Sequence, residues 1–171
     1  MMLVSLTEEI REYALDLGFD GIGFATADPF TGLSQALQER KEGYSWTDKT
    51  LQLSQAAEPR SVLPEARSLV VLLYDYHKLS FPPTFLGQVG KAYLARLYFS
   101  QTRIFGSRVR LFKKFLEQKG MTIKMRPSLP ERQATVRAGL GTFGRNTFVY
   151  VPGRGSFVGL TTMAVDADLD G

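Results

Sequence analysis

Hydrophobic positions along the chain change period several times, and each change marks an element. Leu6, Ile10, Tyr13, Ala14 and Leu17 recur at helical spacing behind Ser5-Leu-Thr-Glu8, whose hydroxyl and carboxylate fit a capping box. Gly18 reads as the residue just past that helix, where a left-handed backbone ends the turn. Asp20-Gly-Ile-Gly-Phe-Ala25 reads as a short strand whose glycines permit close backbone approach. Residues 29–45 read as a helix around Leu33, Ala36, Leu37 and Arg40, followed by Gly43-Tyr-Ser-Trp46, a loop expected to anchor its aromatics in the core. Residues 58–67 carry two prolines and read as an extended connector or short turn.

Ser68-Leu-Val-Val-Leu-Leu-Tyr-Asp-Tyr76 is apolar almost without interruption, so both faces of this strand should be covered and it should be central. Tyr74, Asp75, Tyr76 and His77 fall at its C-terminal end, where ligands collect in open sheets. Residues 79–90 read as a surface loop. Residues 91–119 read as a long helix with an apolar stripe of Leu94, Leu97, Ile104, Leu111 and Phe115. Arg103, Arg110 and Lys114 lie on another, solvated face, Gly106 is a candidate break and Gly120 a stop. Met121–Met125 alternates as a strand does, and Pro130–Ala138 reads as helix. Asn146–Val151 reads as a strand that the type II turn Val151-Pro-Gly-Arg154 joins in a hairpin to a strand over 156–165. The acidic end, Asp166–Gly171, reads as a solvated tail. Helices and strands joined so tightly imply a layered α/β or α+β domain.

Composition narrows the chemistry. At 171 residues, 44% hydrophobic and 22% charged, the chain suits a single globular domain over 1–171. Its net charge of +4 favours a phosphate-bearing partner without singling out nucleic acid. With no cysteine it holds no disulfide, thiolate nucleophile or cysteine-bound metal, and with His77 alone it holds no multi-histidine zinc site. His77, lacking an evident carboxylate or nucleophile partner, reads as structural rather than as an acid/base group. The first residues lack the basic region and apolar run of a signal peptide, and no apolar run reaches the ~20 residues of a membrane span, so the expected compartment is the cytoplasm.

The densest chemistry lies between Leu129 and Val151. Gly139-Leu-Gly-Thr-Phe-Gly144 spells G-x-G-x-x-G, but a dinucleotide site needs a strand before those glycines and a helix after them. Here helix precedes and strand follows, which removes the dinucleotide reading. A helix-to-strand turn remains, with Gly139 past the helix end and Gly141 and Gly144 able to lie flat against a large partner. Arg132, Arg137, Arg145 and Asn146 can donate to phosphates, amides or carboxylates.

Leu129-Pro-Glu-Arg132 followed by Val136-Arg-Ala-Gly-Leu-Gly-Thr-Phe-Gly-Arg-Asn-Thr147 resembles the signature of epoxyqueuosine reductases, a family related to reductive dehalogenases. Leu17–Ala25, Glu58–Val71 and Gly155–Leu160 resemble the family as well, in the same order along the chain. The resemblance implies a nitroreductase-like mixed sheet covered by helices and a cobalamin-binding domain. It implies cofactor contacts from Arg137, Gly139, Leu140, Gly141, Thr142, Phe143, Gly144, Arg145 and Asn146, with Arg132 as the catalytic residue. In the family two cysteine-bound iron–sulfur clusters in a following domain pass electrons to cobalt; this chain carries no ligands for them, so an electron-donor protein or domain is a further expected partner and the chain alone is not expected to complete the reaction. The substrate, whether tRNA or a small molecule, stays open. The family's aspartate ahead of Glu-Arg and its Asp-Tyr-His triplet have no counterpart at Lys124–Leu129 or near Thr102–Ile104. Carry-over is therefore limited to Glu131-Arg132 and Gly139–Asn146. A binding module that keeps the fold without the chemistry is the other reading.

Overall fold

The computed structural model describes residues 5–46, 49, 52–95, 103–125 and 129–169. Helix α1 (Leu6–Asp16) begins at Ser5, whose Oγ accepts the Glu8 amide at 3.1 Å. It ends where the Gly18 amide reaches the Leu15 carbonyl and the Phe19 amide reaches Ala14, a paired closure that needs the left-handed backbone of Gly18 (φ +85°). Strand β1 (Gly21–Thr26) follows, then α2 (Thr31–Glu39) and α3 (Lys41–Tyr44) in place of the single helix expected over 29–45. Tyr44 and Trp46 are 48% and 55% exposed, so the expected aromatic anchor in the core does not form.

Short helix α4 (Leu53–Ala56) precedes the segment expected to be an extended connector or short turn, and within that segment one turn of helix, α5 (Pro59–Val62), is started by Pro59, where a missing amide costs nothing. Strand β2 (Ser68–Asp75) is buried along its length and sits inside the sheet. Beyond it, 79–90 is a surface loop with a 3₁₀ turn at Pro83–Phe85, and a second such turn lies at Lys91–Leu94. Helix α6 (Arg103–Gln118) runs through Gly106 without a break. Leu97 and Thr102 lie outside the described residues.

The α6 stripe is displaced from the expected one. Ile104 and Leu111 are 60% and 48% exposed, whereas Phe105, Phe112 and Leu116 are buried. The rotation has a cause in mass: two phenylalanines one position further on fill more space against the sheet than Ile104 and Leu111 would. Phe19 meets Phe112 and Phe105 edge-on at 6.1 and 6.2 Å, and Tyr74 meets Phe105 at 5.8 Å.

Past Gly120 (φ +84°) comes β3 (Ile123–Lys124), then α7 (Glu131–Arg137), β4 (Thr142–Phe143), β5 (Val149–Tyr150) and β6 (Val158–Val165). The main sheet has the order β1-β2-β6-β3, and its pairings are antiparallel where a mixed sheet was expected. The layered α/β class stands: Val70, Leu72 and Met163 face α1 and α6 on one side, and Leu69, Val71 and Ala164 face α7 and the 25–30 segment on the other. The turn at Val151–Arg154 forms, with Gly153 at φ +71°, but it does not make a hairpin of β5 with β6. Instead β5 pairs with β4 in a separate ribbon while β6 enters the main sheet.

The described part of the acidic end, Asp166–Leu169, is tied to the sheet, although the Asp168 side chain stays 76% exposed. Asp166 Oδ1 accepts the Thr122 amide at 2.8 Å, Asp168 pairs with Arg67 at 2.8 Å, and the Leu169 amide donates to buried Ser68 Oγ. Hydrogen bonding from Thr122 holds the Asp166 carboxyl below its ordinary value of 3.8 against a smaller opposing effect of burial. A depressed folded pKa gives stability that is full above the unfolded value and is lost as pH falls through the folded one. Unfolding midpoints should therefore fall on acidification below pH ~4 more steeply in the native chain than in Asp166→Asn. Equal acid sensitivity in denaturant titrations would count against this role.

Candidate functional site

Helix α7 ends as α1 does. Gly139 (φ +68°) sends its amide to Val136 and Leu140 sends its own to Thr135. The turn lands on β1 because Gly23 has no side chain: a Cβ there would stand 2.8 Å from Leu140 Cδ1 and 3.0 Å from Ala138 Cβ. The chain then turns into the β4–β5 ribbon, so the glycine segment is itself part of a strand pair. A Cβ on Gly141 would lie 2.7 Å from the Tyr150 carbonyl oxygen, and one on Gly144 would run into the Tyr150 ring. The large flat partner expected of these glycines is thus in part the chain's own Tyr150. What the segment presents outward is side chains: Thr142, Phe143, Arg145, Asn146 and Phe148 are all exposed. Asn146 shapes the bend, its Oδ1 accepting the Phe148 amide at 3.3 Å and its Nδ2 reaching the Tyr150 hydroxyl at 3.2 Å.

Beside this ribbon opens a cleft of about 350 Å³ walled by Tyr76, Glu131, Arg132, Phe148, Ser156 and Leu160, among others. Arg132, the expected catalytic residue, lines it, whereas none of the expected cofactor contacts is among its lining residues. The Arg132 guanidinium lies 5.2 Å from the Phe148 ring centroid and donates to the Thr147 carbonyl at 3.4 Å. Glu131, carried over with Arg132 from the resemblance, and Tyr76, at the end of the central strand, line the cleft as well. The signals for them were the Pro-Glu-Arg spelling and the position of Tyr76 at the end of the central strand.

Arg137 does not join the cleft. It donates to the carbonyls of Thr26, Asp28 and Pro29 at 3.1, 2.5 and 3.1 Å and stacks 3.7 Å over Phe30. Burial lowers its pKa, with Asp28 opposing. In this structure Arg137 ties α7 to the segment after β1.

A second polar cluster sits at the end of β2, and it contradicts the reading of His77 as a histidine without a carboxylate. Asp75 accepts the His77 amide at 2.8 Å and the His77 ring Nδ1 at 2.7 Å, with Arg154 Nε 3.4 Å away. Burial pushes the Asp75 carboxyl upward, but the His77 amide and ring and Arg154 together outweigh it and hold it below 3.8. Asp20 receives the Asp75 amide at 2.9 Å, and Lys91 donates to the His77 carbonyl. Among the described residues no three metal-ligating side chains of His, Cys, Asp or Glu converge, and no helix is long and apolar enough to cross a membrane.

This architecture is that of the solved epoxyqueuosine reductases. The Bacillus subtilis enzyme, in a structure whose catalytic loop is swung out of the active site, superposes with a TM-score of 0.73 and 26% identity, over 96% of this chain and 46% of that one. An epoxyqueuosine reductase holding an epoxyqueuosine-modified tRNA-Tyr stem loop gives a TM-score of 0.71 over 96% of this chain at 24% identity, evidence of fold alone. In sequence, the chain is similar to the epoxyqueuosine reductase of Staphylococcus aureus, 32% identical over 169 residues, which is 94% of this chain and 44% of that protein. The Bacillus subtilis relative is 27% identical over 172 residues, or 95% of this chain and 45% of the relative. The chain spans a little under half the length of these relatives. No family model matches it.

Proposed function

We propose that this chain is the corrinoid-binding portion of a reductase of the epoxyqueuosine reductase type. The observation that carries the reading is the cleft opened by Glu131-Arg132 beside the exposed ribbon of Phe143, Phe148 and Tyr150, in a chain similar to those enzymes along nearly its full length. The residues suit such a cofactor. Exposed aromatic rings match the apolar face of a macrocycle, and Arg132, Arg145 and Asn146 match its fringe of amides and its phosphate. The cleft itself lies at the small end of the volumes that enclose a compact ligand, so the ribbon and cleft together form one wall of a larger site.

When bound, the corrinoid supplies cobalt redox chemistry. The chain's own residues orient and protonate. Arg132, held against Phe148, fixes an oxygen-bearing group at the cleft mouth, while Glu131, Tyr76 and Ser156 are the groups in its wall that can exchange a proton with a ligand. Electrons come from iron–sulfur clusters held elsewhere, because their cysteine ligands are not in this sequence.

Titration of the purified chain with cobalamin tests the reading. Spectral change with a measurable heat of binding is expected, and Arg132→Ala should weaken binding about tenfold or more, the loss of one charge-assisted contact. No binding by calorimetry, with cobalamin spectra unaltered, would falsify the proposal. A tRNA substrate is the second reading, favoured by the solved relative that holds a tRNA stem loop and by the pairing of Arg132 with the Phe148 ring on an exposed ribbon. It requires affinity for an RNA stem loop that declines steeply with salt. A non-catalytic module would bind the corrinoid yet show no turnover once an electron donor is supplied.

A further inference from the structure

We infer that Thr147 is a positioning residue for Arg132: from a strained backbone it holds the guanidinium at the cleft mouth, where, on the reading above, Arg132 fixes an oxygen-bearing group of the ligand.

The strain lies in one torsion angle. Among the described residues two that are not glycine have positive φ, Gln52 at +49° and Thr147 at +65°, and only Thr147 is β-branched. A branched Cβ crowds the neighbouring carbonyl in the left-handed region, which makes a threonine there a genuine outlier. The hairpin explains why some residue must adopt this conformation. Gly144 and Phe148 continue the β4–β5 ladder, the Gly144 amide donating to the Phe148 carbonyl at 2.8 Å, and the Thr147 amide donates to the Gly144 carbonyl at 3.0 Å. The loop between them has three residues, a length that ordinarily ends on one left-handed residue, for which glycine is the unstrained choice. Thr147 fills that place instead.

Strained residues persist where their surroundings over-determine them, and they gather at ligand sites. Three restraints hold Thr147. One is the ladder, a second is Asn146 Oδ1, which accepts the Phe148 amide at 3.3 Å, and the third is Arg132, whose Nη1 donates to the Thr147 carbonyl at 3.4 Å. Thr147 is not itself in the cleft wall; Arg132 and Phe148 are, and it acts through them. Its carbonyl takes one N–H of the guanidinium, and the residue that follows it sets a ring 5.2 Å from the same group. Among the described residues no other acceptor engages Arg132. The guanidinium is therefore held in one plane with its remaining donors available to a carboxylate, phosphate or amide oxygen. Glycine at 147 would remove the strain but also the restriction on the backbone, and with it the fixed aim of Arg132.

The test sets stability against order in the native chain and two variants. Thr147→Gly relieves the strain, so its thermal unfolding midpoint should hold or rise. In ¹⁵N nuclear magnetic resonance the native Arg132 Nε–H should be restricted, with a heteronuclear Overhauser effect near that of the backbone. Thr147→Gly should bring it down to the value of exposed Arg145. Thr147→Asn, which tolerates the left-handed region and keeps a Cβ, should restore most of the order. A turn residue with a merely structural role would make Arg132 order follow stability, the opposite result. Cobalamin affinity should follow Arg132, falling roughly threefold in Thr147→Gly and returning in Thr147→Asn. Arg132 as mobile in the native chain as Arg145, Arg132 order unchanged by Thr147→Gly, or a lowered midpoint in that variant would each overturn the inference. If none of the three proteins binds cobalamin, the corrinoid reading fails, and the resonance of Arg132 still decides the role of Thr147.

Discussion

Phe112→Ala is expected to destabilise the chain by about 3–5 kcal/mol, while Leu111→Ala should change stability by no more than about 0.5 kcal/mol. The neighbours differ by one position and by everything that matters energetically. Phe112 is fully buried, edge-on to Phe19, and packed in the cluster that joins α1, α6 and one face of the sheet. Removing its ring leaves a cavity that β-strand neighbours such as Leu72 and Met163 cannot close without leaving the sheet. Leu111 is 48% exposed and loses little contact on truncation. Denaturant titrations of the two variants decide the register of α6. Equal costs, or a larger cost at Leu111, would mean that the helix faces the sheet as its aliphatic spacing alone suggests.

Gly141→Ala should cost about 1–3 kcal/mol through overpacking, a large effect for a small residue near the surface. The new methyl would press on the Tyr150 carbonyl, which is backbone in a paired strand and cannot rotate aside, and on Val149 Cγ1 at 2.8 Å. Relief requires β4 to lift from β5, which would also move Phe143 and Phe148. On the proposed corrinoid reading, the variant should therefore lose corrinoid affinity as well as stability. Gly90→Ala is the control: its φ of −65° suits any residue and nothing stands within 4 Å of the added methyl, so stability should hold or rise slightly. If Gly141→Ala matches Gly90→Ala in thermal unfolding, the ribbon is not as closely packed as described.

Signals confined to a few adjacent residues were legible in the sequence. The Ser5 cap and the glycine ends at Gly18, Gly120 and Gly139 are dictated by backbone chemistry within one turn and form as read, although the Glu8 carboxylate of the expected capping box pairs with Arg11 instead. The central place of β2 was legible too, because only a strand covered on both faces tolerates such continuous hydrophobicity. Properties set by distant partners were not. The face of α6 depends on which side chains best fill the space against the sheet, and spacing alone admits neighbouring registers. That β4 pairs with β5 while β6 leaves for the main sheet depends on competition between sheets, which a turn signature does not encode.

The candidate site divides along the same line. Arg132 lines the cleft, whereas Arg137, equally basic and five residues on in the same helix, is spent on three carbonyls and the Phe30 ring. Composition cannot separate two such arginines, because what differs is the face of α7 each occupies. The Asp75–His77 pair was hidden for the opposite reason. The two residues are near neighbours in sequence, but only the geometry at the end of β2 turns both side chains to the same place.

The neighbour that β2 keeps on one side, β6, lies at the far end of the chain: Ser68 pairs with Val165 and Asp75 with Val158. Closing that pairing brings together segments separated by most of the molecule, an entropic cost that slows folding relative to chains built from local contacts. During synthesis the most hydrophobic strand leaves the ribosome early and has only β1 to pair with until β6 follows. In that interval β2 is the segment most exposed to aggregation and the natural target for a chaperone that binds extended apolar peptides.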